Sequence, residues 1–213
     1  MTLPNAYSGV KKIFIAELLQ IVGSVLAIVG LASLLGAVEA YSYYGDSVGA
    51  EGVAATGGMF TLLAAILAIV ALVLNLVGLR QASKDEPDRM GKAFAFAVAT
   101  LILSVIVGVC QSMQWGIGAL FNVASSLTQM CTIIFTIMGV SEVTQNISRQ
   151  DVADMGPKIL TLAVIAIAAS IIATIIGHTI GGIALLIALG LMIVAYFVFL
   201  VFLGRATSAL AKG

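Results

Sequence analysis

Glu17 is the one ionisable side chain that falls within an apolar stretch long enough to cross a membrane. An ionisable group at such a position marks either a substrate or proton site or a structural contact with another helix. Glu17 follows Lys12 by five residues, about 7.5 Å along a helix, so it is close to the end of its stretch. Asn75 precedes Arg80 by the same spacing on the next apolar stretch. We therefore expect a Glu17–Asn75–Arg80 cluster, and we favour the structural role.

Polar side chains also recur at helical spacing along three apolar stretches. The candidate polar interior comprises Glu17, Gln20, Ser24, Asn75, Thr100, Ser104, Gln111, Asn122 and Gln129. The stretch that holds Gln129 continues the pattern with Ser125, Thr132 and Thr136. Such groups share one helix face, where they either bond neighbouring helices together or line a polar path. The absence of charged rings and of Pro or Gly interruptions favours bonding between helices.

The sequence carries no catalytic motif, and we expect no catalytic residue, no metal site and no cofactor. The HExxH, GxSxG, Walker and dinucleotide-binding patterns are all missing. His178 stands alone near the start of the last apolar stretch, whereas a metal site needs several ligands close together. Cys110 and Cys131 are predicted to differ in depth by roughly 12 Å, too far for a disulfide, so we expect both to be reduced.

The composition is that of a membrane protein. Of the 213 residues, 61% are hydrophobic and 9% are charged, and the mean hydropathy is +1.16, whereas soluble domains are typically about 25% charged. The formal net charge is zero, and there is no basic patch with interleaved aromatic residues, which speaks against nucleic-acid binding. We predict an all-α integral membrane protein that forms a single domain, residues 1–213, with the lipid bilayer as its first partner.

Six apolar stretches reach the 17–25 residues that a helix needs to cross a bilayer. They span residues 13–38, 59–79, 93–113, 117–140, 159–177 and 181–203, and we expect them to form three αα-hairpins (12–80, 92–141 and 158–205). An outer loop is predicted over residues 37–57, and the last stretch, with Tyr196, Phe197, Phe199 and Phe202, is predicted to face lipid most. The first stretch is longer than the 7–15 residues of an ordinary signal-peptide core, so we expect a span rather than a cleaved signal peptide.

The basic residues predict how the chain threads the membrane. In the six-span topology, all ten Lys and Arg residues fall on one side, and the positive-inside rule places that side, with both termini, in the cytoplasm. The segment 80–92 is the most charged part of the chain. Its cations Arg80, Lys84, Arg89 and Lys92, together with the tail 205–213, are predicted to form a cytoplasmic docking surface at the cell membrane.

The three hairpins also suggest an internal threefold repeat. Aligning Lys12 with Lys92 and Lys158 brings three serines into register, Ser24, Ser104 and Ser170. Units that share one orientation would be related by an axis along the membrane normal. The alternative is that the three lysines reflect only the positive-inside rule.

From these features we expect a multi-pass membrane protein without catalytic activity. It would act by association, either as a homo-oligomer or as an accessory subunit of a membrane complex, because small residues line the faces of the second and fifth stretches. The alternative is a small transporter or substrate-binding membrane subunit for an uncharged or weakly polar solute. In size and predicted helix count the chain resembles the substrate-capturing subunits of energy-coupling-factor importers.

Overall fold

The described part of the protein is all-α, as the composition predicts, and 92% of its residues are helical. The computed structural model describes the backbone of residues 3–44, 47–113, 117–180 and 182–212. Side chains are described within these ranges except at residues 40, 43–44, 47–50, 119, 167, 170–180, 182–186 and 188. The described residues form α1 (Pro4–Tyr44), α2 (Ser47–Ala82), α3 (Arg89–Ser112), α4 (Gly118–Asn146), α5 (Gln150–Ala153), α6 (Met155–Ile180) and α7 (Gly182–Leu210).

Five helical segments of the described chain are long and apolar enough to cross a membrane. They are Pro4–Glu39, Glu51–Ala82, Arg89–Ser112, Leu120–Asn146 and Leu189–Leu210. Five of the six predicted stretches overlap these segments. The sixth, residues 159–177, lies within α6, where the side chains from residue 170 onward fall outside the described part. These helices indicate a membrane protein, in agreement with the sequence.

The first two helices are longer than predicted. α1 has 41 residues and α2 has 36, so α1 extends for about 60 Å at 1.5 Å per residue. The expectation of an outer loop over residues 37–57 is wrong, because all of these residues except 45 and 46, which fall outside the description, are helical. The segment contains no proline, and a helix supplies each backbone N–H and C=O group with a partner without help from water.

The chain divides into two compact units. The hairpin unit comprises Ile15–Asn75, and the main unit comprises Met1–Phe14 and Leu76–Gly213. The single domain expected from the sequence stays a prediction.

Small residues at every seventh position form the contact between the two helices of the hairpin unit. The buried positions are Ala16, Gly23, Gly30 and Ala37 on α1, and Gly57, Ala64 and Ala71 on α2. A Cβ added at Gly30 would lie 2.9 Å from the Gly57 carbonyl oxygen and 2.6 Å from Thr61 Oγ1. A seven-residue period keeps one edge of each helix toward its partner, and residues without large side chains let membrane helices approach closely.

The core of the main unit lies next to the basic segments of the chain. It contains large side chains that are almost completely buried: Val10, Ile13, Leu79, Met90, Ile137, Val140, Val143, Phe202 and Leu203. Phe199 is 7% exposed and Phe202 is 0% exposed, whereas Phe197 is 56% exposed. The expectation that the aromatic rings of the last stretch face lipid is therefore wrong for Phe199 and Phe202. They lie in the last two turns of the predicted stretch, where the other helices of the unit converge and cover them.

Within the main unit, neighbouring helices pair along the chain. α3 packs along α4, α6 packs along α7, and α4 also contacts α5, α6 and α7. α4 is therefore the central helix of this unit. One end of the main unit carries Lys12, Arg89 and Lys92, and we call it the basic end. There, a Cβ added at Gly9 would lie 2.5 Å from the Gly78 carbonyl oxygen, so the beginning of α1 and the end of α2 are also in backbone contact.

The backbone contact at Gly30 predicts a difference between two glycines of α1. Gly30→Ala should lower the free energy of unfolding by about 1–3 kcal/mol, because the added methyl group has no space in the contact. At Gly36 an added Cβ meets nothing within 4 Å, so Gly36→Ala should leave stability unchanged or raise it. Reversible unfolding in mixed detergent micelles measures both variants. Equal destabilisation by the two substitutions would contradict the contact.

Candidate functional site

The structure brings Glu17 and Asn75 together inside the hairpin unit. Asn75 Nδ2 donates a hydrogen bond of 3.4 Å to Glu17 Oε1, and both side chains are half-buried. The third member of the expected cluster, Arg80, belongs to the main unit, where its side chain is exposed. A carboxyl group bonded to an amide on the partner helix fits a structural contact within the hairpin.

Two pairs of hydroxyl groups join α3 to α4. The Thr100 and Thr128 oxygens lie 2.8 Å apart, and the Ser104 and Ser125 oxygens lie 3.1 Å apart. Both pairs are at hydrogen-bond distance, and such contacts contribute roughly 0.6–2 kcal/mol each between membrane helices. Thr100 and Ser104 are predicted site residues, whereas Thr128 falls outside the predicted stripe.

Nearer the beginning of α3, aromatic rings continue the line of contact between α3 and α4, which we call the seam. Phe96 stacks on Phe135 with ring centroids 5.5 Å apart. Lys92 Nζ lies 5.8 Å from the centroid of Phe135, within the range of a cation–π interaction. The seam therefore changes from hydroxyl groups to rings and a cation as it nears the basic end.

The remaining predicted interior residues are exposed on their helices. They are Gln20 and Ser24 on α1, Gln111 on α3, and Asn122 and Gln129 on α4. Within the described part of the chain, none of these side chains has a hydrogen-bond partner. Gln111 is one residue from the end of α3, so its amide can reach the headgroup layer. Gln129 is nine residues from the nearer end of its apolar segment, Leu120–Asn146, about 13 Å away.

Asn122 and Gln129 belong to a continuous surface on α4. We call this surface the outer polar face of α4, and it consists of Asn122, Ser126, Gln129 and Ile133, all exposed. Their spacing of four, three and four residues places them on one side of the helix. Ser125 and Thr136, which the sequence assigns to the same stripe, are buried. The predicted stripe of α4 is therefore divided between a packed edge and an exposed edge.

Glu86 caps the beginning of α3 at the basic end of the main unit. Its carboxylate accepts hydrogen bonds from the backbone N–H groups of Arg89, at 2.9 and 3.1 Å, and of Met90, at 2.7 Å. Glu86 is only 5% exposed. The first N–H groups of a helix have no partner within it, and a negative charge there also complements the helix dipole. Glu86 thus acts as the cap that sequence rules would assign to Asp88, whose side chain makes no capping bond.

Asp85 performs the same role for α1. Its Oδ2 accepts a 2.7 Å hydrogen bond from the backbone N–H of Ala6, and its Oδ1 accepts one of 2.9 Å from Asn5 Nδ2. Nearby, Lys12 Nζ donates to Gln81 Oε1 at 2.6 Å. The charged segment therefore holds the beginning of α1 against the end of α2.

The four cations predicted to form a docking surface have different environments. Arg80 and Lys84 are exposed. Arg89 Nε lies 3.3 Å from Glu142 Oε2, and Lys92 lies over Phe135 as described above. Two cations of the segment are thus free for an external partner, whereas the other two contact α4.

Cysteine and histidine offer no cluster for metal or redox chemistry in the described ranges. No group of three or more His, Cys, Asp or Glu side chains lies together there. Cys110 and Cys131 are both free, and the side chain of His178 falls outside the description.

Comparison with protein-family models, curated proteins and solved structures yields no match for this chain.

The capping geometry distinguishes two neighbouring acids. Glu86→Ala should destabilise the protein by about 1–3 kcal/mol, because it leaves buried N–H groups without acceptors. Glu86→Gln keeps one acceptor oxygen and should cost less. Asp88→Ala should change stability little, since Asp88 is exposed and caps nothing. Thermal unfolding monitored by circular dichroism tests this order, and an effect of Asp88→Ala as large as that of Glu86→Ala would contradict it.

Proposed function

We propose that the protein is a multi-pass membrane protein that works by association, without catalysis, and that the outer polar face of α4 is where two copies meet. Gln129 carries this proposal. Its amide is exposed, has no partner in the described chain and lies about 13 Å from the nearer end of an apolar helix. An amide transferred from water to hydrocarbon without a hydrogen bond costs several kcal/mol. A second helix that offers a matching amide removes that cost.

The membrane limits how two copies can meet. Both copies have the same orientation in one bilayer, so a pair is related by a twofold axis along the membrane normal. In such an isologous interface the same patch is used twice. An α4 helix then lies parallel to its copy, and Gln129 meets the equivalent Gln129. Ser126 and Ile133 would pack beside this pair as the smaller polar and apolar parts of the face.

The hydroxyl pairs between α3 and α4 also support association rather than transport. Thr100 bonds Thr128, and Ser104 bonds Ser125, so these groups satisfy each other. A transport path would need the same groups to face a hydrated cavity. The candidate polar residues of this seam thus act in helix packing, which leaves the exposed amides as the groups in need of a partner.

We further propose the six-span topology, with α6 as the remaining span and both termini in the cytoplasm of a cell membrane. Four basic residues of the main unit support a common side, because each directly precedes a residue of the same buried core. They are Lys12, Arg89, Lys92 and Arg205, which precede Ile13, Met90, Ala93 and Ala206. The positive-inside rule then assigns that side to the cytoplasm.

The internal repeat is part of the same proposal, and the contacts of two glycines support it. A Cβ added at Gly78 would lie 2.7 Å from the carbonyl oxygen of Gly9, three residues before Lys12. A Cβ added at Gly139 would lie 2.9 Å from Met90, two residues before Lys92. Relative to their lysines, the contacts of the first two hairpins therefore agree to within one residue.

Cysteine crosslinking tests the interface on α4. In a Cys110→Ala, Cys131→Ala background, Gln129→Cys should form a disulfide-linked dimer when membranes are oxidised, because the two positions face each other across the axis. Leu127→Cys serves as the control. It is exposed at nearly the same depth but lies roughly 160° around the helix from Gln129, and it should remain monomeric.

A second variant separates loss of the interface from loss of the fold. Gln129→Leu should weaken self-association by about threefold to tenfold, the effect of losing roughly 0.6–1.4 kcal/mol of interhelical bonding, while helix content stays the same. Sedimentation equilibrium in detergent measures the dimer constant. Crosslinking at Leu127 instead of Gln129, or a strictly monomeric parent protein, would overturn the interface. A different membrane protein crosslinked at Gln129 would identify an accessory subunit instead of a homodimer.

A further inference from the structure

An open cavity of about 420 Å³ lies at the basic end of the main unit. Its lining comes from α5, from the end of α7 and from the residues that flank them: Arg149, Asp151, Val152, Val201, Gly204, Arg205, Ser208, Ala209 and Lys212. Three of these residues are cations and one is an acid. The lining therefore carries a net charge of +2, three positive charges less one negative charge, in a protein whose formal net charge is zero.

One of the cations is held in place by the acid. Arg149 donates from Nε and Nη2 to the two carboxylate oxygens of Asp151, at 3.1 Å each. These hydrogen bonds, with the positive charge behind them, keep the pKa of Asp151 below its usual value. Of the five N–H donors of a guanidinium, three remain for another acceptor. The planar group is thus oriented before any ligand arrives.

The other two cations have little to bind within the described chain. Arg205 has only a long contact of 3.7 Å with the sulfur of Met155. Lys212 follows the end of α7 and is exposed. The Ser208 hydroxyl donates to the Gly204 carbonyl at 3.0 Å, so the available donors are the three cations. Because all three cations line the same open space, they match the several oxygens of a phosphate group.

The cavity also has an apolar wall that continues into the membrane. Val201 is 52% exposed, and both Val201 and Gly204 belong to the apolar segment Leu189–Leu210. A phosphate bound by the cations would therefore sit where α7 leaves the hydrocarbon, with room for an acyl chain along Val201. A free phosphate ion would make no use of this wall.

We propose that this cavity binds the phosphate of an anionic phospholipid from the adjoining leaflet. Arg149 and Arg205 contact the phosphate oxygens through their planar guanidinium groups, and Lys212 adds a mobile charge at the rim. Basic pockets of this kind between membrane helices hold anionic lipid headgroups. A second cavity, of about 370 Å³, is lined by Arg89 and Glu142, which pair with each other. Of these two cavities, the first therefore carries the unpaired positive charge.

Native mass spectrometry of the full chain tests this site by titrating phosphatidylglycerol or phosphatidylcholine into detergent micelles. The parent protein should bind phosphatidylglycerol more tightly than phosphatidylcholine. Arg205→Gln with Lys212→Gln should reduce that affinity about fivefold for each cation removed, since a basic residue near a membrane surface contributes on the order of 1 kcal/mol. Lys212→Gln alone, which lies beyond the last helix, should give about a fivefold loss with the fold intact.

The matched control is Lys11→Gln with Lys158→Gln, which removes two exposed cations of the same unit that do not line the cavity. This control should retain the parent affinity. Equal losses in the two double variants would show a general surface-charge effect and overturn the proposal, as would equal affinity of the parent for the two lipids. Inorganic phosphate is titrated in parallel. If it binds with the same dependence on Arg205 and Lys212 while phosphatidylglycerol does not, the cavity is a phosphate site and the lipid assignment is wrong.

Discussion

Two adjacent carboxylates hold the starts of two helices, and the main unit depends on that arrangement. Asp85 accepts the Ala6 amide at the beginning of α1, and Glu86 accepts the Arg89 and Met90 amides at the beginning of α3. A buried N–H group without an acceptor costs roughly 1–3 kcal/mol. Since neighbouring residues provide both caps, the position of one helix start fixes the other. The buried core then forms where these ends meet α2, α4 and α7.

Away from that core, the same requirement for hydrogen-bond partners shapes the helices in a different way. Hydrocarbon offers polar groups nothing to bond with, so Thr100 pairs with Thr128 and Glu17 pairs with Asn75. Among the described residues Gln129 has no such partner, and for this reason we propose that it lies at an interface between copies. At the membrane surface, cations such as Arg205 would find acceptors in phospholipid headgroups. The proposed association and the proposed lipid binding would thus use two different faces of the main unit.

The class of fold and most apolar stretches follow from the sequence, because a helix that crosses a membrane must have a minimum length and a high hydropathy. The details of packing do not follow as readily. Segment 80–92 has the composition of a solvated loop, yet Glu86 is buried, since its role depends on a helix start brought to it by the fold. The described residues of the outer loop predicted over 37–57 are helical, because a membrane-length rule sets a minimum and not a maximum for a helix. The small residues at seven-residue spacing from Ala16 to Ala37 are present in the sequence, but their spacing alone does not show which helix packs against them.

Hydrogen exchange of the full chain, read at the backbone amides of Ala6 and Met90, tests the capping arrangement most directly. An amide bonded to a buried carboxylate exchanges only when that part of the structure opens. We therefore expect both amides to exchange at rates similar to those of core amides in α2 and α4, and far more slowly than those of an unstructured peptide. If Ala6 and Met90 exchanged at the rate of a free peptide while the core stayed protected, segment 80–92 would be a solvated loop and its carboxylates would not organise the unit.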